Sequence, residues 1–336
     1  MSSLLEVRDL HVWFEPPHAA PVHAVQGVSF ELEAGERFGL VGESGCGKTT
    51  TILALMGLLP PNATLAGEVR LDGTSILAGG EDSVRPHRWK DIAMVFQGAM
   101  NALNPVKKVG WQIAEPMAFH GVAEGKAALK RAGELLELVG IPARSAQRYP
   151  HEFSGGMRQR ASIAMALACA PKILLADEPT TALDVMVQAQ ILELLTRLSG
   201  ELGLAVILVT HDLPVVAQMC SRAAVMYAGE IAETGPMDAL YHAPAHPYTR
   251  LLFAATPDLY GADAVASIPG SPPRLDRDIT GCPFRPRCDV PIERCARDHP
   301  ALLQVETAHL AACLRAGKRG GLRAEPGADE AVRLGQ

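Results

Sequence analysis

The chain has 336 residues, enough for about two domains. With 48% hydrophobic residues it can bury a sizeable core, and its net charge of −6 offers no basic field for nucleic acid. "MSSLLEVRDL" lacks the basic and apolar regions of a signal peptide, and the most apolar stretch, "ASIAMALACAPKILLA", is broken by Pro171 and Lys172, so a soluble, cytoplasmic chain is expected.

Residues 3–32 hold short alternating apolar runs around "PPHAAP", which predicts strands flanking a loop. "ERFGLVG" reads as an apolar strand ending in a glycine-rich turn, and "TTTILALMGLL" has helical spacing. Residues from about 104 to 168 read mostly helical, as in "AALKRAGELLELVG" and "RQRASIAMALA", and form a predicted insert. "ILLAD" and "AVILVT" are continuous apolar runs. Strands apolar on both faces, alternating with helices, predict a parallel sheet covered on both sides. Composition shifts near 236, where "HAPAHPYTR" and "SIPGSPPRLDR" open a proline-rich appendage with little periodicity. Residues 319–336 are expected to be a disordered tail.

"GESGCGKTT", Gly42 to Thr50, fits G-x-x-x-x-G-K-[ST] between a strand and a helix, the context of a P-loop. Glycines let backbone N–H groups turn onto phosphate oxygens, and the helix N-terminus adds partial positive charge. Lys48 can reach the β- and γ-phosphates, and Thr49 can offer its hydroxyl to Mg²⁺. An ordinary glycine-rich turn would not require the Lys-Thr pair. Asp177, ending "ILLAD", suits a Walker B aspartate, and Glu178 follows where the chain leaves the sheet and can face a water. Without the upstream P-loop, two solvated carboxylates would be the default reading.

These features specify only a nucleoside triphosphatase of α/β class. "FSGGMRQR", residues 153–160, resembles the signature motif of ABC ATPases, with Ser154, Gly155 and Gly156 opening a helix. The resemblance continues at Gln97 in "MVFQ", Asp184 in "TALD" and His211 in "VTHD", and it covers residues 3–235. "MVFQGAMNALNP", "DEPTTALDV" and "HPYTR" are similar to the ATPase subunits of dipeptide/oligopeptide ABC importers, of the D type. Three departures are Met157 in place of the usual signature Gln, Gly98-Ala99 in place of an acidic residue and Pro, and Phe14 as the best match to the adenine-stacking position, with Trp13 as runner-up.

The resemblance implies a P-loop NTPase of ABC type with a β-subdomain, a helical insert over about 100–168 and a cysteine-rich C-terminal appendage. The implied domains are 1–235 for the ATPase and 236–318 for the importer-type C-terminal region. The implied nucleotide site is Phe14, Gly42, Ser44, Gly45, Cys46, Gly47, Lys48, Thr49, Thr50 and Gln97, with Mg²⁺ held through Thr49, Gln97 and Asp177. Glu178, His211 and Lys48 are the implied catalytic residues. Ser154, Gly155, Gly156 and the D-loop Asp184 act on ATP in the opposite subunit. Implied partners are a second, different ABC ATPase, two membrane permeases and an external solute-binding protein, at the cytoplasmic face of the membrane. The implied activity is ATP hydrolysis driving import of di- or oligopeptides, with nickel or another small solute as the alternative cargo. An ABC ATPase of DNA maintenance or translation would call for a coiled coil, tandem modules or basic linkers. One of iron–sulfur biogenesis would leave "HPYT" unexplained.

Four of seven cysteines, Cys282, Cys288, Cys295 and Cys313, crowd the last sixty residues, with five, six and seventeen residues between them. Without an export signal they read as thiols or ligands rather than disulfides. Clustering where little apolar sequence exists to bury them favours shared ligation over idle thiols. The spacing matches neither C-x₂₋₄-C zinc pairs nor ferredoxin runs, so zinc and an iron–sulfur cluster both stay open. The resemblance, not the spacing, implies a [4Fe–4S] cluster, with Zn²⁺ as the alternative.

Overall fold

The computed structural model describes residues 3–77, 80–98, 102–255 and 267–316. Ala99 and the tail after residue 318 lie outside the described residues. Strands β1 (Leu5–Phe14) and β2 (Val22–Leu32) flank the proline-containing loop and pair antiparallel. Leu5 and Val7 point into the core, and so do Leu10 and Val12, because the register shifts between Val7 and Leu10 around Asp9, at φ 48°.

Next come β3 (Arg37–Val41), α1 (Lys48–Leu55), β4 (Ala63–Leu71) and β5 (Thr74–Ser75). Strands β1, β2, β4 and β5 make one antiparallel sheet in the order β2-β1-β4-β5. A short helix, α2 (Glu81–Val84), precedes β6 (Ile92–Val95). Three helices then pack on one another: α3 (Val109–Phe119), α4 (Gly125–Leu138) and α5 (Gly155–Ala166). Beyond them run β7 (Ile173–Asp177), α6 (Val185–Leu202), β8 (Ala205–Thr210), α7 (Leu213–Met219) and β9 (Arg222–Tyr227). The C-terminal part holds β10 (Glu230–Pro236), α8 (Met237–His242), α9 (Pro247–Ala254), β11 (Leu303–Glu306) and β12 (His309–Ala311).

The second sheet runs β11-β12-β10-β9-β3-β8-β7-β6, with β9, β3, β8, β7 and β6 mutually parallel. Every residue of β6, β7 and β8 is buried. Alternation shares each strand between two cores: Leu174, Ala176, Val206 and Leu208 face one, and Ile173, Leu175, Ile207 and Val209 face the other.

The proline-rich C-terminal part is built into this sheet. β12 pairs with β10, Glu233 opposite Ala311 and Thr234 opposite Leu310. Tyr248 and Phe284 are fully buried members of the larger core. Behind them Glu233, with no exposure, accepts from the backbone N–H groups of Ala245 and His246 and meets His309 Nε2 at 2.7 Å. Anchoring therefore comes from an existing core and one buried polar knot. Both were invisible to periodicity, because β12 is only three residues long.

Candidate functional site

The site forms where the parallel strands end. β3 delivers the chain to Gly42, which sits at φ 152°; a Cβ there would lie 2.3 Å from the Met226 carbonyl oxygen. Gly47, at φ 105°, would likewise strike the Ala24 carbonyl at 2.5 Å, so both glycines are required for the loop to lie this close to its neighbours. Ser44, Gly45 and Thr49 face solvent around the loop, Thr50 is half-buried, and Cys46 is buried with its thiol pushed up by burial. Lys48 is buried and donates to the Gly42 and Glu43 carbonyls at 2.7 and 2.9 Å, curling over the loop it serves.

Thr49 Oγ1 donates to Asp177 Oδ1 at 3.2 Å, which sets two oxygens side by side at the foot of the cradle. Oxygen donors of this kind suit a hard cation such as Mg²⁺. Burial raises Asp177 to about 6 against the Thr49 hydrogen bond, and the neighbouring Glu178 charge adds to the rise. A cation here would favour the charged carboxylate that burial disfavours.

Glu178 stands next to it at φ 42°, an uncommon backbone state for this residue type. Gln97 Nε2 and Thr181 Oγ1 donate to its Oε2 at 2.8 and 2.9 Å, and His211 Nδ1 lies 2.8 Å from Oε1. Burial opposes the charge of Glu178. The hydrogen bonds from His211 and Thr181 outweigh burial and hold its carboxyl below the ordinary range. An ionised carboxylate beside a phosphate cradle can orient or deprotonate a water, the task of hydrolysis. Residues from four separate segments thus meet in one place: Lys48 and Thr49, Gln97, Asp177 with Glu178, and His211.

Ser154 and Asp184 have local duties. Ser154 caps α5, its hydroxyl accepting from Met157 N–H at 3.3 Å, and Asp184 caps α6 through Val187 N–H at 3.0 Å. Gly156 is required by α6, since a Cβ would come within 2.8 Å of Val187. Ser154 and Asp184 are exposed, and Gly155 and Gly156 half-exposed, so they stay open to a second chain. Phe14 packs against the core cluster that holds Cys46 and Ile52. Trp13 points to the other face, stacks on His23 with ring centres 4.5 Å apart, and lines a cleft with Leu275 and Ile279.

Two residues of this site were missed in the sequence. Tyr248 Oη accepts from Glu43 N–H at 2.9 Å, and Arg287 grips the Glu43 carboxylate with both terminal nitrogens at 2.6 and 2.8 Å. "HPYTR" and "CPFRPRC" were visible, but nothing local couples them to a loop more than two hundred residues earlier.

Residues 25–181 match the family described as ABC transporter, and residues 232–295 match the C-terminal region of oligopeptide/dipeptide transporters. A probable peptide ABC transporter ATP-binding protein of Sinorhizobium fredii is 46% identical over 94% of this chain and 96% of its own. The chain belongs to the ABC transporter ATP-binding proteins, in their oligopeptide/dipeptide family. The dipeptide transport ATP-binding protein DppD of Bacillus subtilis is also 46% identical, over 93% of this chain and 95% of its own. Among solved structures, the ATP-binding cassette MJ0796 bound to ADP and phosphate superposes with a TM-score of 0.62 at 31% identity, covering 69% of this chain and 98% of that one. This ABC subunit has the cassette fold and is an ATPase that works with ATP and Mg²⁺. No helix among the described residues is long and apolar enough to cross a membrane.

The four C-terminal cysteines line one small cavity, together with Phe284, Val290 and Leu314. Cys282 N–H also donates to the Cys295 carbonyl at 2.9 Å. Among the described residues, no group of three or more His, Cys, Asp or Glu side chains is placed to hold a metal ion. The four cysteines expected as ligands thus share a cavity without forming a metal site. Burial pushes Cys282 up to about 11 and raises Cys288 and Cys313, so these thiols are protonated unless a metal takes the proton's place.

Proposed function

We propose that this chain hydrolyses ATP to energise import of di- and oligopeptides across the cytoplasmic membrane, bound peripherally at its cytoplasmic face. The observation that carries the reading is the Glu178 carboxylate held by Gln97, Thr181 and His211 beside the P-loop. The relatives' names and the matched C-terminal region favour peptides over nickel or another solute.

In this reading the backbone from Gly42 to Thr50 cradles the phosphates, with Lys48 on the β- and γ-groups. Phe14 stacks on adenine, since Trp13 is already stacked elsewhere. Thr49, Gln97 and Asp177 hold Mg²⁺. Glu178 orients the attacking water, and His211 steadies it and contacts the γ-phosphate. Ser154, Gly155, Gly156 and Asp184 act on the nucleotide of a second, different ATPase subunit, and this chain's nucleotide receives the same from that partner. Catalysis is then positioning and electrostatics, completed only when two subunits close.

Helices α3–α5 serve as the helical subdomain that meets two permeases, which an external solute-binding protein supplies. What supports this is a groove of about 340 Å³ lined by Arg85, Trp89, Pro116, Phe119 and Met165, with Phe119 and Trp111 exposed beside it.

We also propose that Cys282, Cys288, Cys295 and Cys313 hold a [4Fe–4S] cluster. What supports a shared ligand is that all four thiols line one cavity. The group would supply structural ligation to a segment short of its own core.

The test is reconstitution in proteoliposomes with the second ATPase, both permeases and the binding protein. ATP-dependent uptake of a labelled dipeptide, lost without this chain, is the expected result. Uptake of nickel but no peptide would overturn the cargo, and tight co-purification with nucleic acid in place of permeases would overturn the transport reading.

A further inference from the structure

We infer that Arg287 is a positioning residue for the phosphate cradle: it neutralises Glu43 and holds that carboxylate away from the bound nucleotide. The starting point is a conflict inside the P-loop. A loop that binds several phosphate charges through backbone N–H groups carries an acidic side chain at its second residue. A carboxylate left free there would repel ATP and compete for the same donors.

The structure resolves the conflict from outside the cassette motifs. Arg287 forms a fork-to-fork pair with Glu43, with nitrogen–oxygen distances of 2.6 and 2.8 Å. The Arg287 side chain is only 4% exposed and that of Glu43 25%, so solvent reaches the pair from the glutamate side alone. Its remaining donors are tied too: Nε donates to the Pro269 carbonyl at 2.8 Å, and one terminal nitrogen lies 3.4 Å from Tyr227 Oη. Tyr248 meanwhile accepts the Glu43 N–H, so backbone and side chain of this residue are both held from the C-terminal part. The Glu43 carbonyl faces Lys48, which gives a continuous line from Arg287 through Glu43 to the phosphate-binding lysine. Arg287 lies in the short helical turn Arg285–Arg287, between Cys282 and Cys288.

An electrostatic role differs from a mechanical one in a measurable way. If the pair were only a staple, breaking it from either side would weaken ATP binding alike. If Arg287 neutralises Glu43, the two halves are unequal: removing the arginine leaves a negative charge in the cradle, and removing the acid leaves a positive one.

The experiment is a titration of full-length protein with a fluorescent ATP analogue and Mg²⁺, alongside steady-state hydrolysis. Arg287→Ala is expected to weaken ATP binding about tenfold, more at low salt, with kcat at saturating ATP within about twofold. Arg287→Lys should fall between, since a single ammonium lacks the fork. Glu43→Gln alone should bind ATP at least as tightly as the native chain. Added to Arg287→Ala, it should recover most of the lost affinity, a sign of coupling that independent losses do not give. Native affinity in Arg287→Ala overturns the inference, and so does a double variant that binds no better than Arg287→Ala. If Arg287→Ala fails to fold, Glu43→Gln still decides: a tenfold loss there would mean a staple.

Discussion

His211 Nδ1 lies 2.8 Å from Glu178 Oε1, although the two residues are 33 positions apart. The ring therefore orients the carboxylate from β8's end while Gln97 and Thr181 hold its other oxygen. With Nδ1–H donated to Glu178, a neutral His211 offers its Nε2 lone pair to a water, and donation to a phosphate oxygen takes the doubly protonated ring.

Glu178→Gln should keep the side chain's shape and lose its basicity. Turnover is expected to fall by about a thousandfold, within the range for a lost general base, with ATP affinity changed less than about threefold. Phosphate release and nucleotide binding, measured on the same transporter complex, check this. Hydrolysis at the native rate would remove Glu178 from the chemistry.

The pH dependence of stability has a distinct source at His246. This imidazole is buried in the C-terminal part, accepts from Tyr248 N–H at 3.0 Å, and is lowered by burial from 6.5 to about 4. Between those values the unfolded chain binds more protons than the folded one. Its contribution is therefore complete above about 6.5 and is lost as pH falls toward 4, by about 3 kcal/mol in all. His246→Asn can still accept at the helix cap and cannot titrate there. Thermal melts from pH 7 to 4.5 should fall more steeply for the native chain than for His246→Asn. Parallel curves would refute this origin.

The cassette was readable because its signals are local. "ILLAD" and "AVILVT" announce strands buried on both faces, and "GESGCGKTT" places glycines where only glycine fits, at Gly42 and Gly47. Parity along β1 was not readable, because the shift near Asp9 exchanges the inward set midway. Nor was the hold on the P-loop from Tyr248 and Arg287. A bidentate ion pair has no periodicity, and its partners are brought together only when β10 and β12 join the sheet.

The groove beside α3 offers a coupling test. Phe119 is 68% exposed, and Phe119→Asp puts a charge where an apolar partner would sit without disturbing the buried face of the helix. ATP binding by the isolated subunit should be unchanged within about twofold, whereas transport by the assembled complex should drop at least tenfold. Native transport by this variant would move the permease contact elsewhere.

The cysteine cavity gives the last prediction. Protein purified without oxygen should be brown and carry about four irons and four sulfides per chain. Replacing Cys282, Cys288, Cys295 or Cys313 by Ser should remove the colour and expose the segment around residues 280–316 to protease. Cys220→Ser, at a buried thiol outside the cavity whose titration burial pushes up to about 12, should keep the colour. Because Arg287 sits between Cys282 and Cys288, a colourless variant should also bind ATP more weakly, and Glu43→Gln should restore part of that affinity. Stoichiometric zinc without iron would assign the cavity to Zn²⁺. A metal-free protein with full ATP affinity would leave the four thiols as packing alone, and would separate the cluster from the Arg287–Glu43 pair, which stands on its own geometry.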